Sequence, residues 1–570
     1  MSGPGDRATK YRSLEEPTPS RLAEGHDPAP KSADLEQAFL PGSMSSARSE
    51  MSPAREPGDL EGASEPVVGS RQPREGEKPQ AAGYAFEKSD EVVVPEKSTK
   101  TWVTPVEPME GRTEAEGKSA ARNAPPTQSG NGAPTALQRI GQRAKEGKEE
   151  RFTNLLSHVK LPLLKEAYQR LRKHAAAGVD EVTWLEYGER LEERLLDLET
   201  RVHRGSYHPL PVRRVHIPKG DGSTRPLGIP ALEDKLLQQA VRMVLEPVYE
   251  AQFVGFSYGF RPGRSPQQAL DALAVAIEKK VSWVLDADIG SFFNTIDHGW
   301  MQRFVEHRIG DRRLVRLLMK WLKAGVMEDG ELHAVEEGTP QGGVISPLLA
   351  NVYLHYALDL WVQSWRKKQA HGEVYVVRYA DDFVMGFQHE QDARAMHAAL
   401  AKRLAKFGLE LHPDKTRVIR FGRYARRDCE RDGLNKPATF DFLGFTHICG
   451  VDRQRGWFQL KRRTSRKKRR AKLTRLREEM RARRHEPMAR QHAWLKSVLT
   501  GHYRYYGVPT NIHALAGFRY EVERCWHRSL QRRSQRAGWT NARRAAVQQR
   551  FPLPLPHIYH PWPSQRLVVR

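Results

Sequence analysis

The apolar positions divide the chain into three stretches of different character. Residues 1 to about 130 carry sparse apolar residues without a sustained period, in sequence such as PGDLEGASEPVVGSRQPREGEKPQAAG. So little apolar surface cannot offset the entropy of ordering, and the segment 1–134 reads as a disordered low-complexity extension. Helical spacing begins near Thr135, with Leu137 and Ile140 and later Phe152, Leu155 and Leu156. LPLLKEAYQRLRKHAAAG continues it through Leu163, Leu164, Ala167 and Leu171, with Gly178 as its stop. RRVHIPKGDGSTRPLGIP reads as two short strands about a Gly-Asp-Gly turn. Helical spacing returns in ALEDKLLQQAVRMVLEPVYE. VSWVLDADIGSFF and EVYVVRYADDFVMGF are apolar, β-branched runs of strand length with carboxylates set inside them. That alternation predicts a sheet backed by helices. From about residue 460 the chain turns Arg-rich and helical, with Trp494, Tyr503, Tyr505, Tyr506 and Trp526 interspersed.

Length and composition narrow the class. At 570 residues more than one domain is expected. No run of about 18 apolar residues occurs, so no membrane helix is expected. The opening MSGPGDRATKYRSLEEP has no apolar signal-peptide core. Cys429, Cys449 and Cys525 form an odd set without a close pair. That argues against a disulfide framework or a cysteine-based zinc site, and for a reducing, cytoplasmic setting. The net charge of +24 is unevenly spread: residues 1–150 hold 20 Lys+Arg and 25 Asp+Glu, a balance of −5, and the rest of the chain is +29. A polyanion is the natural partner of the basic part, with a solvated basic surface as the bland alternative. KRRTSRKKRRAK, at 461–472, has nine basic residues and no acidic one.

Two motifs change the picture from binding to chemistry. Tyr379-Ala380-Asp381-Asp382 places adjacent carboxylates inside an apolar strand run. Such charges are costly unless compensated, and a divalent cation is the usual compensation. Adjacent strand side chains face opposite ways, so a tight turn is needed to bring both near one site. An ordinary hairpin turn is the competing reading, weakened by flanking Val376, Val377, Phe383 and Val384. In Leu285-Asp286-Ala287-Asp288-Ile289, Asp286 and Asp288 share one strand face, with a solvated edge strand as the alternative. Together the motifs offer carboxylates from two strands, 93 residues apart, to one metal pair. Two magnesium ions can activate a primer 3′-hydroxyl and stabilise the leaving pyrophosphate, with substrate phosphates completing their shells.

The order of motifs resembles the reverse transcriptases encoded within bacterial group II introns, also called intron maturases. The resemblance runs through AGVDEVTW (177–184), IPKGDGSTRPLGIPALEDK (217–235), SYGFRPGRS (257–265), LDADIGSFFNTIDH (285–298), GTPQGGVISPLLANVYLH (338–355), RYADDF (378–383), LHPDKT (411–416) and FLGF (442–445). GHYRYYGV (501–508), RRSQRAGW (532–539) and HPW (560–562) extend it, so that it covers roughly 135–570. It implies an α+β right-hand polymerase, with fingers and an antiparallel palm sheet at 135–455 and a helical thumb/maturase domain (domain X) that binds RNA at 456–535. A short basic tail at 536–570 resembles a DNA-binding element.

The resemblance also implies roles. Asp288, Asp381 and Asp382 are catalytic and bind two magnesium ions, with the backbone carbonyl of Ile289 as a further ligand. Lys219 and Arg225 grip the incoming deoxynucleoside triphosphate, as a basic pair about a glycine turn can. Phe293 packs under the sugar and opposes a ribose 2′-hydroxyl, while Phe292 fits the core. Gln341 and Gly342 lie along nucleotide and template. Phe442, Leu443 and Gly444 form the primer grip. Lys461, Arg462, Arg463, Tyr503, Arg504, Tyr505 and Tyr506 hold intron RNA, with at least two of these aromatics expected in the core. Lys415 fits either support of the active site or a surface position. Arg261 and Arg264 fit either template phosphates or a turn at Pro262-Gly263.

Two departures bear on function. Asn294 stands where many members have Asp, outside the metal triad, so activity is expected to survive. No H-N-H nuclease domain follows HPW before Arg570. Insertion by reverse splicing, primed by some other DNA end, is therefore expected rather than second-strand cleavage. The expected partners are group II intron RNA, a DNA target or primer and deoxynucleoside triphosphates, with no membrane. The rival readings are a splicing-only maturase with an idle polymerase site and a domesticated defence reverse transcriptase.

Overall fold

The computed structural model describes residues 135–218, 224–328, 330–334, 337–339, 342–452, 454–533, 538 and 540–563. The extension 1–134, Lys219 and Gln341 lie outside the described residues.

The first part runs α1 (Ala136–Glu146), α2 (Leu161–Arg170), α3 (Trp184–Gly188), α4 (Leu191–Arg204), β1 (Val212–Pro218), β2 (Thr224–Ile229) and α5 (Leu232–Glu250). A capping box starts α1: Thr135 accepts from the Gln138 N–H, and the Gln138 side chain accepts from the Thr135 N–H. Both α1 and α2 pack on α5, whose apolar residues run round most of its circumference and are buried from Leu236 to Tyr249. The second helical stretch is shorter than its spacing predicts. α2 ends at Arg170, and Leu171 is extended with ψ 152°, because Arg172-Lys173-His174 offer no apolar residue to continue the stripe. Gly178 is not a helix stop. A Cβ there would lie 2.5 Å from Ala231 Cα, so the residue marks a close backbone crossing at the entry to α5. Phe152, expected on a helix, instead bridges Ile309 and donates its N–H to the Arg308 carbonyl at 2.8 Å.

The middle part runs α6 (Pro266–Lys279), β3 (Trp283–Ala287), α7 (His298–Arg308), α8 (Arg312–Leu322), β4 (Val326–Glu328), β5 (Glu331–His333), α9 (Ser346–Leu354), α10 (Leu360–Lys368), β6 (Val374–Tyr379), β7 (Asp382–Phe387), α11 (Glu390–Ala405), β8 (Arg417–Arg420) and α12 (Ala425–Arg431). Its central sheet has the order β6-β7-β3-β8 and is antiparallel throughout. Period-two alternation sends Leu285, Ala287, Phe383 and Met385 into the large core shared with α5, α7, α9 and α11. Val284, Val377 and Val384 face a second core with α6. A separate sheet has the order β2-β1-β4-β5, in which β1 and β4 are parallel.

The last part runs β9 (Phe440–Phe442), β10 (Phe445–Val451), β11 (Phe458–Thr464), α13 (Arg466–Ala482), α14 (Met488–Tyr506), α15 (Ile512–Gln531) and α16 (Asn541–Arg550). β11 pairs with β10 along its whole length, so the change from sheet to helix falls at Ser465 rather than at the expected residue 456. α13, α14 and α15 share a core of Leu473, Leu476, Leu495, Leu499, Phe518 and Trp526. The final segment folds back on it: Leu553 is buried there, and Tyr559 donates its N–H to the Gly507 carbonyl at 2.9 Å. No helix among the described residues is long and apolar enough to cross a membrane.

Candidate active site and its surroundings

The central sheet brings the two acidic motifs to one end. β3 and β7 pair antiparallel with Ala287 opposite Phe383, so Asp288, just past β3, lies beside Asp382, the first residue of β7. β6 and β7 are joined by a two-residue turn, Ala380-Asp381, with Tyr379 paired to Asp382. Ala380 has φ +59°, the left-handed conformation that such a tight hairpin demands at its first turn position. The turn resolves the difficulty of adjacent carboxylates, since Asp381 rides on the turn and Asp382 on the strand.

Carboxylates and basic side chains are gathered together at this end. Burial pushes the Asp381 carboxyl up, its own backbone N–H opposes this, the nearby Asp288 charge adds to it, and Arg225 and Arg378 pull it back. Asp286 is pushed up to about 6 by burial, and Asp441 and Asp288 add to this. Arg417 opposes it, with Nε 3.6 Å from Asp286 Oδ2. Lys415 places its Nζ 2.7 Å from Asp288 Oδ2, so it serves the site rather than the bare surface. On α13, burial pushes Lys468 down while Asp382 and Asp441 hold it up. Hard carboxylate oxygens gathered at one end of the sheet, two of them on carboxyls that burial makes costly to ionise, suit a divalent cation such as magnesium. Among the described residues no three His, Cys, Asp or Glu side chains close into a metal cage. Such a cation would therefore be shared with water and substrate oxygens. Ile289 is buried and bridges Leu411. The bonds of that bridge run through Gly290 and Asp288, to the Glu410 carbonyl and from the His412 N–H, which leaves the Ile289 carbonyl on the opposite side.

A buried arginine holds the turn from behind. Arg378 is fully buried and donates to Asp359 Oδ1 at 2.7 Å and Oδ2 at 2.5 Å. It also donates to the Ala380 carbonyl at 2.8 Å, Asn351 Oδ1 at 3.0 Å and Ser257 Oγ at 2.8 Å. Asp359 reaches it from a single π-helical turn, His355–Asp359, between α9 and α10. Gly259 lies flat against the turn, where a Cβ would come within 2.2 Å of the Ala380 N, and its carbonyl accepts from Asn351 Nδ2 at 2.7 Å. Sequence reasoning missed Arg378, Asp359 and Asn351. The available signal was an arginine inside an otherwise apolar strand.

Of the residues expected to meet the nucleotide, Arg225 sits on β2, opposite Ile217 of β1. Phe292 is buried, while Phe293 is half-buried and meets Phe292 edge-on at 5.3 Å. The Gly338-Thr339 segment is fastened to it: the Thr339 N–H donates to the Phe293 carbonyl at 2.8 Å and the Gly338 N–H to the Ile296 carbonyl at 2.8 Å. His298, also missed, lies 2.6 Å through Nε2 from the Gly338 carbonyl. Gly342 has φ +126°, and a Cβ there would strike the Gly228 carbonyl at 2.3 Å, so the glycine lets this loop lie against β2. Gln238 Oε1 accepts from the Val344 N–H at 2.9 Å.

The expected nucleic-acid residues divide. Phe442 ends β9, and Leu443 (φ +47°) and Gly444 (φ +79°) form the turn into β10, where Phe442 pairs with Phe445. Phe442 and Leu443 are buried, so only the backbone of this hairpin is presented. The Leu443 carbonyl accepts from Tyr505 Oη at 3.2 Å, and a Cβ on Gly444 would meet Tyr506 Oη at 2.9 Å. Tyr505 and Tyr506 thus dock α14 onto the hairpin and are half-buried there. Two assignments are corrected. Tyr503 is 1% exposed in the helical core, with its Oη donating to the Pro554 carbonyl, and cannot stack on a base. Arg462 is 1% exposed and paired to Asp271 at 3.1 Å, because strand alternation turns it inward. Lys461, Arg463 and Arg504 remain at the surface. Arg261 is buried on Glu250 and the Val254 and Ser257 carbonyls, which settles it as structural. Arg264 donates to the Gly255 carbonyl at 2.9 Å.

Residues 217–447 match the family model of reverse transcriptase (RNA-dependent DNA polymerase). This stretch, which carries the acidic turn and the central sheet, is a reverse transcriptase domain. The chain is 40% identical over 240 residues to Protein YkfC of Escherichia coli, covering 36% of this chain and 62% of that protein. It is 38% identical over 234 residues to the group II intron-encoded protein LtrA of Lactococcus lactis, covering 41% and 39%. It is 32% identical over 144 residues to nuclear intron maturase 3, mitochondrial, of Arabidopsis thaliana, covering 25% and 20%. The chain thus spans less than two thirds of these relatives. Within the reverse transcriptases, its similarity is to proteins that include a group II intron-encoded protein and an intron maturase.

Proposed function

We propose that the chain copies RNA into DNA by nucleotidyl transfer at Asp288, Asp381 and Asp382, and that it binds a group II intron RNA as a maturase. The observation that carries the polymerase reading is the meeting of Asp288 with Asp381 and Asp382 across β3 and β7, on a turn braced by Arg378. Two magnesium ions held there would lower the pKa of a primer hydroxyl and neutralise the departing pyrophosphate. The protein's own part is placement. Arg225, with Lys219, grips the triphosphate; Phe293 lies under the sugar; Gly342, with Gln341, lets the loop approach nucleotide and template. The backbone of Phe442, Leu443 and Gly444 supports the primer end. Lys415 holds Asp288 in position. The RNA would be met by the basic surface of β11 and the helical region, including Lys461, Arg463 and Arg504, in a reaction that serves intron retrohoming.

Extension of a DNA primer on an RNA template by the purified chain tests this. Wild type should make magnesium-dependent cDNA, and Asp381→Ala should reduce it by on the order of 10³-fold. RNA affinity in metal-free buffer should be retained and should fall steeply with salt, as counterion release requires. A wild-type chain that makes no magnesium-dependent cDNA would overturn the polymerase reading.

A further inference from the structure

The β10–β11 pair has two faces of opposite character. On the inner face Phe445, His447, Leu460, Arg462 and Thr464 are buried. The outer face carries Thr446, Ile448 and Gly450 on β10, opposite Arg463, Lys461 and Gln459 on β11. The Lys461 stem lies across β10 where Gly450 leaves room, since a Cβ there would strike Lys461 Cδ and Cε at 2.6 Å. At the tip of the hairpin Trp457 is 70% exposed, the most exposed aromatic side chain among the described residues. The Arg455 guanidinium lies 5.9 Å from its ring centre.

A single exposed tryptophan is unremarkable by itself. Here its presentation is built. Asp452 Oδ1 accepts from the Gln454 N–H at 2.8 Å and the Arg455 N–H at 3.1 Å. The Asp452 N–H donates to the Trp457 carbonyl at 2.8 Å, and the Gly456 N–H to the Asp452 carbonyl at 3.0 Å. The tip is therefore a closed turn that pays little further ordering entropy when a ligand meets it. From Trp457 to Arg463 the strand advances by six residue steps, roughly 20 Å. Its far end adjoins β9, where Asp441 lies opposite Thr446. The acids on this face are engaged internally. Asp441 accepts from the Thr446 and Ser465 hydroxyls, and Asp452 caps the turn. What faces outward is cationic and aromatic.

We propose that the outer face of β10 and β11 is a binding track for unpaired RNA, with a base stacked on Trp457 and backbone phosphates on Lys461 and Arg463. A planar π-face beside a guanidinium receives any unpaired base, and the lysine and arginine supply the phosphate contacts that such a strand needs. The proposal rests on the RNA-binding half of the function above and not on the polymerase half.

The test uses the full chain without metal or nucleotide. Affinities are measured for a short unstructured RNA, the DNA of the same sequence, and a blunt RNA duplex. Trp457→Ala should weaken the unpaired RNA about 5- to 100-fold, the range for losing one base stack, and leave the duplex within about twofold. Trp457→Phe should restore most of the loss. A photoreactive uridine in the unpaired RNA should crosslink to the 454–459 peptide. An unchanged affinity for unpaired RNA, an equal loss on the duplex, or a loss confined to DNA overturns the proposal. A wild-type chain that binds none of the three probes defeats the RNA-binding reading as a whole, which is a different result.

Discussion

Gly259→Ala is the sharpest test of how the turn that carries Asp381 is held. An added Cβ would lie 2.2 Å from the Ala380 N, 2.8 Å from the Tyr379 C and 3.0 Å from the Ala380 Cα, and all three are backbone. Reaching an ordinary contact of 3.4 Å from 2.2 Å requires about 1.2 Å of separation. The Gly259 side cannot easily yield. Its carbonyl is held by Asn351 Nδ2 at 2.7 Å, and the Tyr258 N–H is bonded to the Arg378 carbonyl at 2.8 Å. The movement falls on the turn that carries Asp381. A misplacement of about 1 Å at reacting groups costs on the order of 10²-fold in rate. The assay is single-turnover primer extension on RNA at saturating nucleotide and magnesium, with RNA affinity and urea unfolding as controls. Gly255→Ala, in the same segment, is the matched control, because its Cβ would meet nothing within 4 Å. The expected result is a loss of about 10²-fold for Gly259→Ala, with near-normal RNA affinity and an unaffected Gly255→Ala. Gly259→Ala at the wild-type rate, or equal losses in both variants, would refute the reasoning.

Three further outcomes are expected. Removing one member of the buried Arg378–Asp359 pair, by Asp359→Leu or Arg378→Met, should cost about 3–5 kcal/mol in urea unfolding, and the double replacement should cost less than the sum of the two; strict additivity would show that the two charges do not depend on each other. His298→Ala removes the hold on the Gly338 carbonyl and, through Thr339, on Phe293, so discrimination between deoxy- and ribonucleotides should fall roughly tenfold, with partial rescue by His298→Gln; proportional losses for both nucleotides would make the residue merely structural. Burial pushes Asp234 up to about 7, against the Tyr207 hydroxyl and the Leu210 N–H that favour its charge, whereas the unfolded value is about 3.9. The folded chain therefore holds this proton more tightly, and the associated stability is full below about pH 4 and lost as pH rises through about 7. Asp234→Asn, which cannot ionise, should flatten the denaturant midpoint between about pH 4 and 7, and a slope equal to wild type would count against the shift.

Much of this protein was legible in its sequence because the signals are local. Period-two alternation and β-branched runs marked β3, β6 and β7, and helical spacing marked α5, since each element buries one face or nearly all of itself. Carboxylates inside those strand runs drew attention to Asp288, Asp381 and Asp382, which the fold brings to one end of the sheet, and the ordered motifs pointed to the reverse transcriptase domain that residues 217–447 match. The same logic failed where an element's end depends on what packs there. Gly178 looked like a helix stop but is a backbone crossing at Ala231, and β11 continued past the expected boundary because β10 was there to pair with it. Only the tertiary structure decided which of the charged and aromatic residues are available. Arg462 and Arg463 are adjacent, and strand alternation buries one on Asp271 and exposes the other. Tyr503 and Arg504 divide in the same way on α14. Burial and charge pairing are set by contacts across long sequence separation, such as Arg378 with Ser257 and Arg462 with Asp271, and no window of local sequence contains them.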